Sequence, residues 1–346
     1  MSEGESPSEP QGVEREVPLP WQQEVWAGLH QRRMEARMPH ALLITGPAGL
    51  GKTAFARSLA KAMQCRQPDS RGRACNRCDS CRQFSAGSHP DWTEMTVPPN
   101  RKFILVDQVR DLVDWFSLTA SEHSGRVALI DPAEKMNLSA ANALLKTLEE
   151  PPAGGLLLLV TAVPGRIPAT VRSRCQRVEI ARPTREAALE WLGQRPGVQE
   201  DWPALLDLAQ GSPLQAEAMR EKGVLERARK GTRQLLDLAR GRDTVVQVAG
   251  DWVKQGLGEQ LGWWRAWLEA FCRAGQTGRT GETALLAERA EDLQKLLPRI
   301  DWRAVHELIL ALGEAEKRLE SANEYLLAES LLGRWARAFR KGEHAA

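Results

Sequence analysis

Long hydrophobic runs are missing from this sequence of 346 residues: the longest, Leu156 to Ala162, has seven, against the ~18 that a membrane span requires. An excess of one charge sign is missing too. The 47 Lys and Arg balance 45 Asp and Glu to a net +2, so no polybasic field exists to bind DNA or an anionic membrane avidly, and partners must be recognised locally. The opening stretch MSEGESPSEPQGVEREVP lacks the basic and then apolar order of a secretory signal, so nothing in it directs export and a cytoplasmic location is expected. Because Ser, Glu, Pro and Gly dominate there, residues 1–18 read as a disordered tail. Tyrosine is almost absent, 1 residue against 12 Trp, and no functional reading follows from that. Cysteine is sparse except in one place: four of the six crowd between Cys65 and Cys81, and Cys175 and Cys272 stand far away. In a reducing compartment such a cluster reads as a metal site rather than a disulfide framework.

The length suits two or three domains of ~100–200 residues each. A helical pattern runs from Trp21 to Met34. The apolar run His40–Gly46 then ends at glycine, a Gly-rich turn follows, and Thr53 to Met63 is helical again. A second apolar strand, Arg126–Asp131, leads into a helix with Leu138, Ala141, Leu145 and Leu148 on one face, which Pro151-Pro152 stops. The third strand, Leu156–Ala162, is apolar throughout, as strands covered on both faces of a parallel sheet are. Strands alternating with helices predict a doubly wound parallel α/β domain over 19–182. After about Arg182 strand signals cease. Residues 183–223 read as short helices broken at Pro196-Gly197 and Gly211-Ser212-Pro213, and 224–342 as longer amphipathic helices with loops near 275–282 and at Pro298. Trp263, Trp264, Trp267 and Phe271 form an aromatic face there, suited to packing or a subunit contact rather than base stacking, since few basic residues interleave.

Gly46-Pro47-Ala48-Gly49-Leu50-Gly51-Lys52-Thr53 fits G-x-x-x-x-G-K-[ST] without a mismatch. Its glycines let backbone N–H groups curl around a β-phosphate, Lys52 reaches the β/γ oxygens, and Thr53 can hold Mg²⁺ where a helix N-terminus favours anions. A nucleotide with Mg²⁺ is the ligand this pattern implies, ATP with Mg²⁺ being one such ligand. Hydrolysis needs in addition a second-strand Asp for the metal and a carboxylate that orients water. Asp131 ends its strand as the metal-side residue should; the alternative, a cap on the following turn, is disfavoured by the intact loop upstream. Pro132 follows it where a carboxylate is wanted, and Glu134 is displaced by two positions.

Cys65, Cys75, Cys78 and Cys81 offer four thiolates inside a polar insertion that packs no core of its own. Tetrahedral Zn²⁺ closes such a loop, and four thiolates leave no open position for catalysis, so the site reads as structural over 65–81. The bacterial iron–sulfur run would need a further Cys followed by Pro where Phe84-Ser85 stand. Free thiols are the remaining reading, and His89 is either ordinary loop or a replacement ligand.

Taken together, the phosphate loop, the cysteine insertion directly after its helix, the run Ser139 to Pro151 (SAANALLKTLEEP) and Ser173-Arg174-Cys175 resemble the bacterial clamp-loader ATPase family of AAA+ proteins. The resemblance is specific over 20–215; the last third matches only in length and helicity. It implies an AAA+ nucleotide-binding domain (19–182), a helical lid (183–223) and a helical collar (224–346) that joins a hetero-pentamer with gamma/tau and delta subunits. That ring, part of the polymerase III holoenzyme and its nucleotidyltransferase activity, opens the sliding clamp and sets it on primer-template DNA. It also implies that Arg174 projects into a neighbour's ATP site as a trans-acting arginine finger, with Ser173 shaping the turn, Cys175 buried and Thr161 near the first sensor. Two departures matter. Family motors carry Asp-Glu where this chain has Asp131-Pro132, and a lid arginine where Leu214 stands. These losses imply a stator-like arginine donor whose own ATPase is weak or absent. The alternatives are an active gamma/tau-like motor subunit that uses Glu134, and a zinc-containing nucleic-acid-binding module, which the balanced charge disfavours.

Overall fold

A computed structural model describes residues 17–121, 125–195, 199–278, 283–319 and 321–339. The tail read over 1–18 falls mostly, and the break at Pro196-Gly197 wholly, outside them; of the loop read near 275–282, residues 279–282 lie outside, and 275–277 still belong to a helix that ends at Thr277. The chain divides into two compact units, one ending at Pro183 and one beginning at Thr184.

Unit one is built on five parallel strands, β1 (Ala41–Thr45), β2 (Trp92–Met95), β3 (Val127–Ile130), β4 (Leu156–Thr161) and β5 (Gln176–Glu179), in the order β2-β3-β4-β1-β5. In the centre Ala41 pairs with Leu157 and Thr45 with Thr161, while Ile130 of β3 pairs with Leu159. Side chains alternate across the sheet, so adjacent residues enter different cores. Ala41, Leu43, Ile130, Leu157 and Leu159 pack beneath α4 (Val106–Ser117), α5 (Leu138–Ala143) and α6 (Leu145–Glu149). Leu42, Ile44, Leu129, Leu158 and Val160 pack against α1 (Gln23–Met34) and α2 (Lys52–Gln64) on the opposite face. Covering both faces is what makes these three central strands apolar throughout. The insertion after α2 carries α3 (Asp79–Ser85), and α7 (Ala169–Arg172) precedes β5.

One expected helix differs. The segment after β3 splits at Leu144 into α5 and α6. Leu138, placed by the periodicity on the buried face, is 68% exposed, whereas Ala141 and Leu148 are buried. Leu144 keeps a right-handed helical backbone, and Ala141, Leu144 and Leu148 are all buried, so one stripe still runs through the break; Leu138, the first residue of α5, is the position that falls outside it.

Unit two is helical: α8 (Arg185–Gly193), α9 (Trp202–Leu208), α10 (Pro213–Glu221), α11 (Val224–Ala239), α12 (Val245–Lys254), α13 (Leu257–Thr277), α14 (Ala284–Ala287), α15 (Ala290–Leu296), α16 (Trp302–Arg318) and α17 (Glu324–Arg337). The aromatic face read from α13 is its core. Trp263, Trp264, Trp267 and Phe271 are all buried. Trp267 stacks on Phe271 at 5.2 Å and meets Trp335 edge-on at 5.7 Å, and Trp252 meets Trp264 at 5.0 Å. The indole N–H of Trp335 donates to the Leu235 carbonyl, 2.8 Å, and that of Trp252 to Gln234, 2.9 Å, so these two rings bury their polar edge with a partner, whereas the buried Nε1 atoms of Trp264 and Trp267 have none among the described residues. Among the described residues no helix is long and apolar enough to cross a membrane.

Candidate functional site

The carboxyl ends of β1, β3 and β4 lie on one edge of the sheet, the edge where ligands of open α/β folds bind. Just past β1 the chain turns at Gly46 with φ +145°, and a Cβ there would sit 2.3 Å from the Ile180 carbonyl oxygen, so only glycine fits. Gly49 and Gly51 adopt left-handed φ of 73° and 75°, which sets the first N–H groups of α2 free of intrahelical partners at the loop. Lys52 donates from Nζ to the Pro47 carbonyl at 2.6 Å, and the Thr53 hydroxyl donates to Asp131 Oδ2 at 2.5 Å. Gly46, Gly49, Gly51, Lys52, Thr53 and Asp131 therefore converge as the sequence predicts.

Burial pushes the Asp131 carboxyl up to about 6, with Glu94 and Glu134 adding repulsion against the opposing Thr53 hydrogen bond and Lys52 charge. Glu94 is held in a two-point pair with Arg57, at 2.9 and 2.7 Å. Glu134 has one carboxylate oxygen buried without a hydrogen-bond partner among the described residues. Thr161 is buried, and its hydroxyl oxygen accepts from the Val163 N–H at 3.0 Å. Leu214 is buried in α10.

Sequence reasoning missed a brace behind the loop. The Gln22 side chain, fully buried, donates to the carbonyls of Leu50 at 2.8 Å and Gly51 at 3.2 Å and accepts from the Leu19 N–H at 2.9 Å. Trp21 adds its indole N–H to the Leu50 carbonyl at 3.1 Å. The bonds to Leu50 and Gly51 span 28 or 29 residues, so no local pattern announces them.

The sulfurs of Cys65, Cys75, Cys78 and Cys81 all lie within 4.8 Å of one another, and Cys75 and Cys81 are 4.0 Å apart. A tetrahedral Zn²⁺ with Zn–S of ~2.3 Å would space sulfurs about 3.8 Å apart, so the donor set fits. Backbone N–H groups of Cys75, Cys78 and Cys81 point at the sulfurs of Cys65, Cys75 and Cys78 at 3.3–3.4 Å, an arrangement that favours thiolates. Hydrogen bonds from the Arg77 and Cys78 backbone draw the Cys75 thiol down to about 6, while burial pushes Cys65 and Cys81 up. The four residues could hold one metal ion. His89 stands apart from them: it is buried, with Nε2 3.0 Å from the Ser80 hydroxyl and Nδ1 accepting from the Asp91 N–H at 3.2 Å. Cys175 is half-buried, and burial raises its thiol to about 11.

Arg174 follows α7 in a turn where the Ser173 hydroxyl donates to the Thr170 carbonyl at 3.1 Å. Its Nη1 donates to the same carbonyl at 3.0 Å and its Nη2 to Glu149 Oε1 at 2.5 Å. The neighbouring arginines are engaged elsewhere, Arg172 with the Pro164 carbonyl at 3.0 Å and Arg177 with Glu179 at 2.9 Å.

A five-stranded parallel sheet with this loop and strand-end aspartate defines an AAA+ type of P-loop module, here with a cysteine insertion and a helical second unit. Residues 21–184 match the family model described as DNA polymerase III, delta subunit. A DNA polymerase III subunit delta' from Pseudomonas aeruginosa is 36% identical over 92% of this chain and 97% of its own length. One from Haemophilus influenzae is 33% identical over 72% and 75%. A DNA polymerase III subunit tau from Bacillus subtilis is 36% identical over 48% of this chain and 29% of its own length. The chain belongs to the delta-prime subunit family of DNA polymerase III, within the clamp-loader proteins of DNA replication.

Proposed function

We propose that this chain acts as a stator-like subunit of a cytoplasmic clamp loader, joined through its C-terminal collar (224–346) to gamma/tau and delta subunits in a hetero-pentamer, and that Arg174 serves a neighbour's ATP site. Residues 183–223 take the place of the lid. The observation that carries the reading is the pairing of an intact nucleotide cradle with an incomplete hydrolytic set. Thr53 and Asp131 meet at 2.5 Å, but Pro132 follows Asp131, Glu94 is tied to Arg57, and buried Leu214 occupies the lid position. ATP with Mg²⁺ would be held by the backbone from Gly46 to Gly51, by Lys52, Thr53 and Asp131. Zn²⁺ held by Cys65, Cys75, Cys78 and Cys81 would serve structure alone, closing the insertion with no coordination position for a reactant.

Arg174 carries a permanent, planar charge suited to a phosphoryl group in transfer. In the reconstituted loader, Arg174→Ala should leave folding, zinc content and assembly as they are while hydrolysis at the one facing site falls by ~10³–10⁵. Arg174→Lys should rescue poorly, because an ammonium lacks the forked geometry. Unchanged ATPase and clamp loading would overturn the reading.

A second reading, an active motor, has one observation in its favour: the unpartnered buried oxygen of Glu134, close enough to Asp131 to raise its carboxyl. It requires steady ATP turnover by the isolated chain at the rate of a working loader, abolished by Glu134→Gln. The stator reading requires nucleotide binding without that turnover.

A further inference from the structure

Glu149 closes α6, an end where backbone carbonyls disfavour a carboxylate. Its partner is Arg174, 25 positions away and reached through a different helix, with Nη2 at 2.5 Å from Glu149 Oε1 while Nη1 holds the Thr170 carbonyl at 3.0 Å. The two side chains are 35% and 52% exposed, and an ion pair so open to water contributes little to stability. What the pair does is geometric. An arginine side chain with no anchors samples many rotamers and gives them up only when it meets its target. Here the terminal nitrogens are pinned from two directions, by a carboxylate on α6 and by a carbonyl on α7, and the remaining N–H donors of the guanidinium fork are left for another acceptor.

We propose that Glu149 is a positioning residue for Arg174, fixing the guanidinium before it meets the phosphate of a neighbouring subunit's nucleotide. The inference rests on the reading of Arg174 as a trans-acting finger. Pre-organisation of this kind acts in the transition state, since an ordered donor need not lose its freedom at the moment of reaction. Glutamine in place of Glu149 keeps the shape but loses the charge that makes the anchor strong.

The test uses the full chain reconstituted with its ATPase neighbours, and measures hydrolysis at the facing site for wild type, Glu149→Gln, Arg174→Ala and the double variant. Glu149→Gln should lower kcat about threefold to tenfold, the size expected when a charge-assisted anchor is lost, with KM for ATP, assembly and the melting temperature of the isolated chain unchanged. In the Arg174→Ala background it should add nothing. A wild-type kcat for Glu149→Gln, or a raised one, would overturn the positioning role while leaving the finger intact. An equal loss in the Arg174→Ala background would show Glu149 acting by another route, which also overturns it. If Arg174→Ala itself leaves hydrolysis unchanged, the finger reading fails and this inference falls with it.

Discussion

Asp131 shows how one residue can be poised by its surroundings rather than by its type. Burial raises its carboxyl to about 6, whereas an unfolded chain titrates near ~4. The folded protein thus binds this proton more tightly than the unfolded chain. Stability is undiminished below pH ~4, falls as pH rises from there through about 6, and is level above. Without nucleotide or Mg²⁺, Asp131→Asn should therefore stabilise the protein at pH 7 by on the order of 2–3 kcal/mol and change little at pH 4. Urea unfolding at the two pH values measures this, and equal effects at both would show that burial does not govern the group. The same substitution should weaken binding of Mg²⁺ with ATP, because the charge that costs stability is the one a cation would use.

At the scale of elements, what could be read from sequence follows burial. The three central strands announce themselves as apolar runs because both their faces are covered. β2 (WTEM) and β5 (QRVE) lie at the sheet edges, where Gln176, Arg177 and Glu179 stay exposed, and their polar sequences carry no such signal. The phosphate loop was legible to the residue because its chemistry demands a fixed spacing, as was the cysteine set. The Gln22 brace and the Glu149–Arg174 pair were not, since both join residues distant in sequence. The insertion illustrates how the two kinds of information meet. It is tied to α1 by the Trp26 indole, which donates to the Arg71 carbonyl at 3.0 Å, and to α2 by the Ser80 hydroxyl, which donates to the Gln64 carbonyl at 2.5 Å. Apart from the cysteine cluster, it buries only Gly72, Ser80 and His89. Purified protein should carry one zinc, and chelation should raise amide exchange over 65–89 and in the adjacent part of α1 while the sheet stays protected. Iron in the metal analysis, well under half an equivalent of zinc, or global unfolding on chelation would each contradict this account.

At the scale of the whole molecule, each unit has its own core, and the two are made of different material. Unit one relies on aliphatic strands. Unit two holds eight of the twelve tryptophans, from Trp191 to Trp335, and makes room for two of these rings, Trp263 and Trp302, with a glycine on a neighbouring helix. Gly231 in α11 is such a place: a Cβ there would lie 2.1 Å from Cζ2 of Trp263. Alanine is the better helix former by ~1 kcal/mol, so propensity alone favours Gly231→Ala. Steric overlap opposes it, and because Trp263 is wedged against Trp252 at 5.5 Å the ring cannot simply swing aside. Overpacking of this kind costs ~1–3 kcal/mol, enough to win. Gly231→Ala should lower the thermal midpoint followed by helical circular dichroism, yet leave the zinc content unchanged, since all four ligands belong to unit one. Gly250→Ala in α12 is the control, because nothing lies within 4 Å of its added Cβ; there propensity should prevail and the midpoint hold or rise. Equal destabilisation by both would mean that helix geometry, not the tryptophan contact, decides. A neutral Gly231→Ala would mean that the aromatic core has more slack than its ring distances indicate.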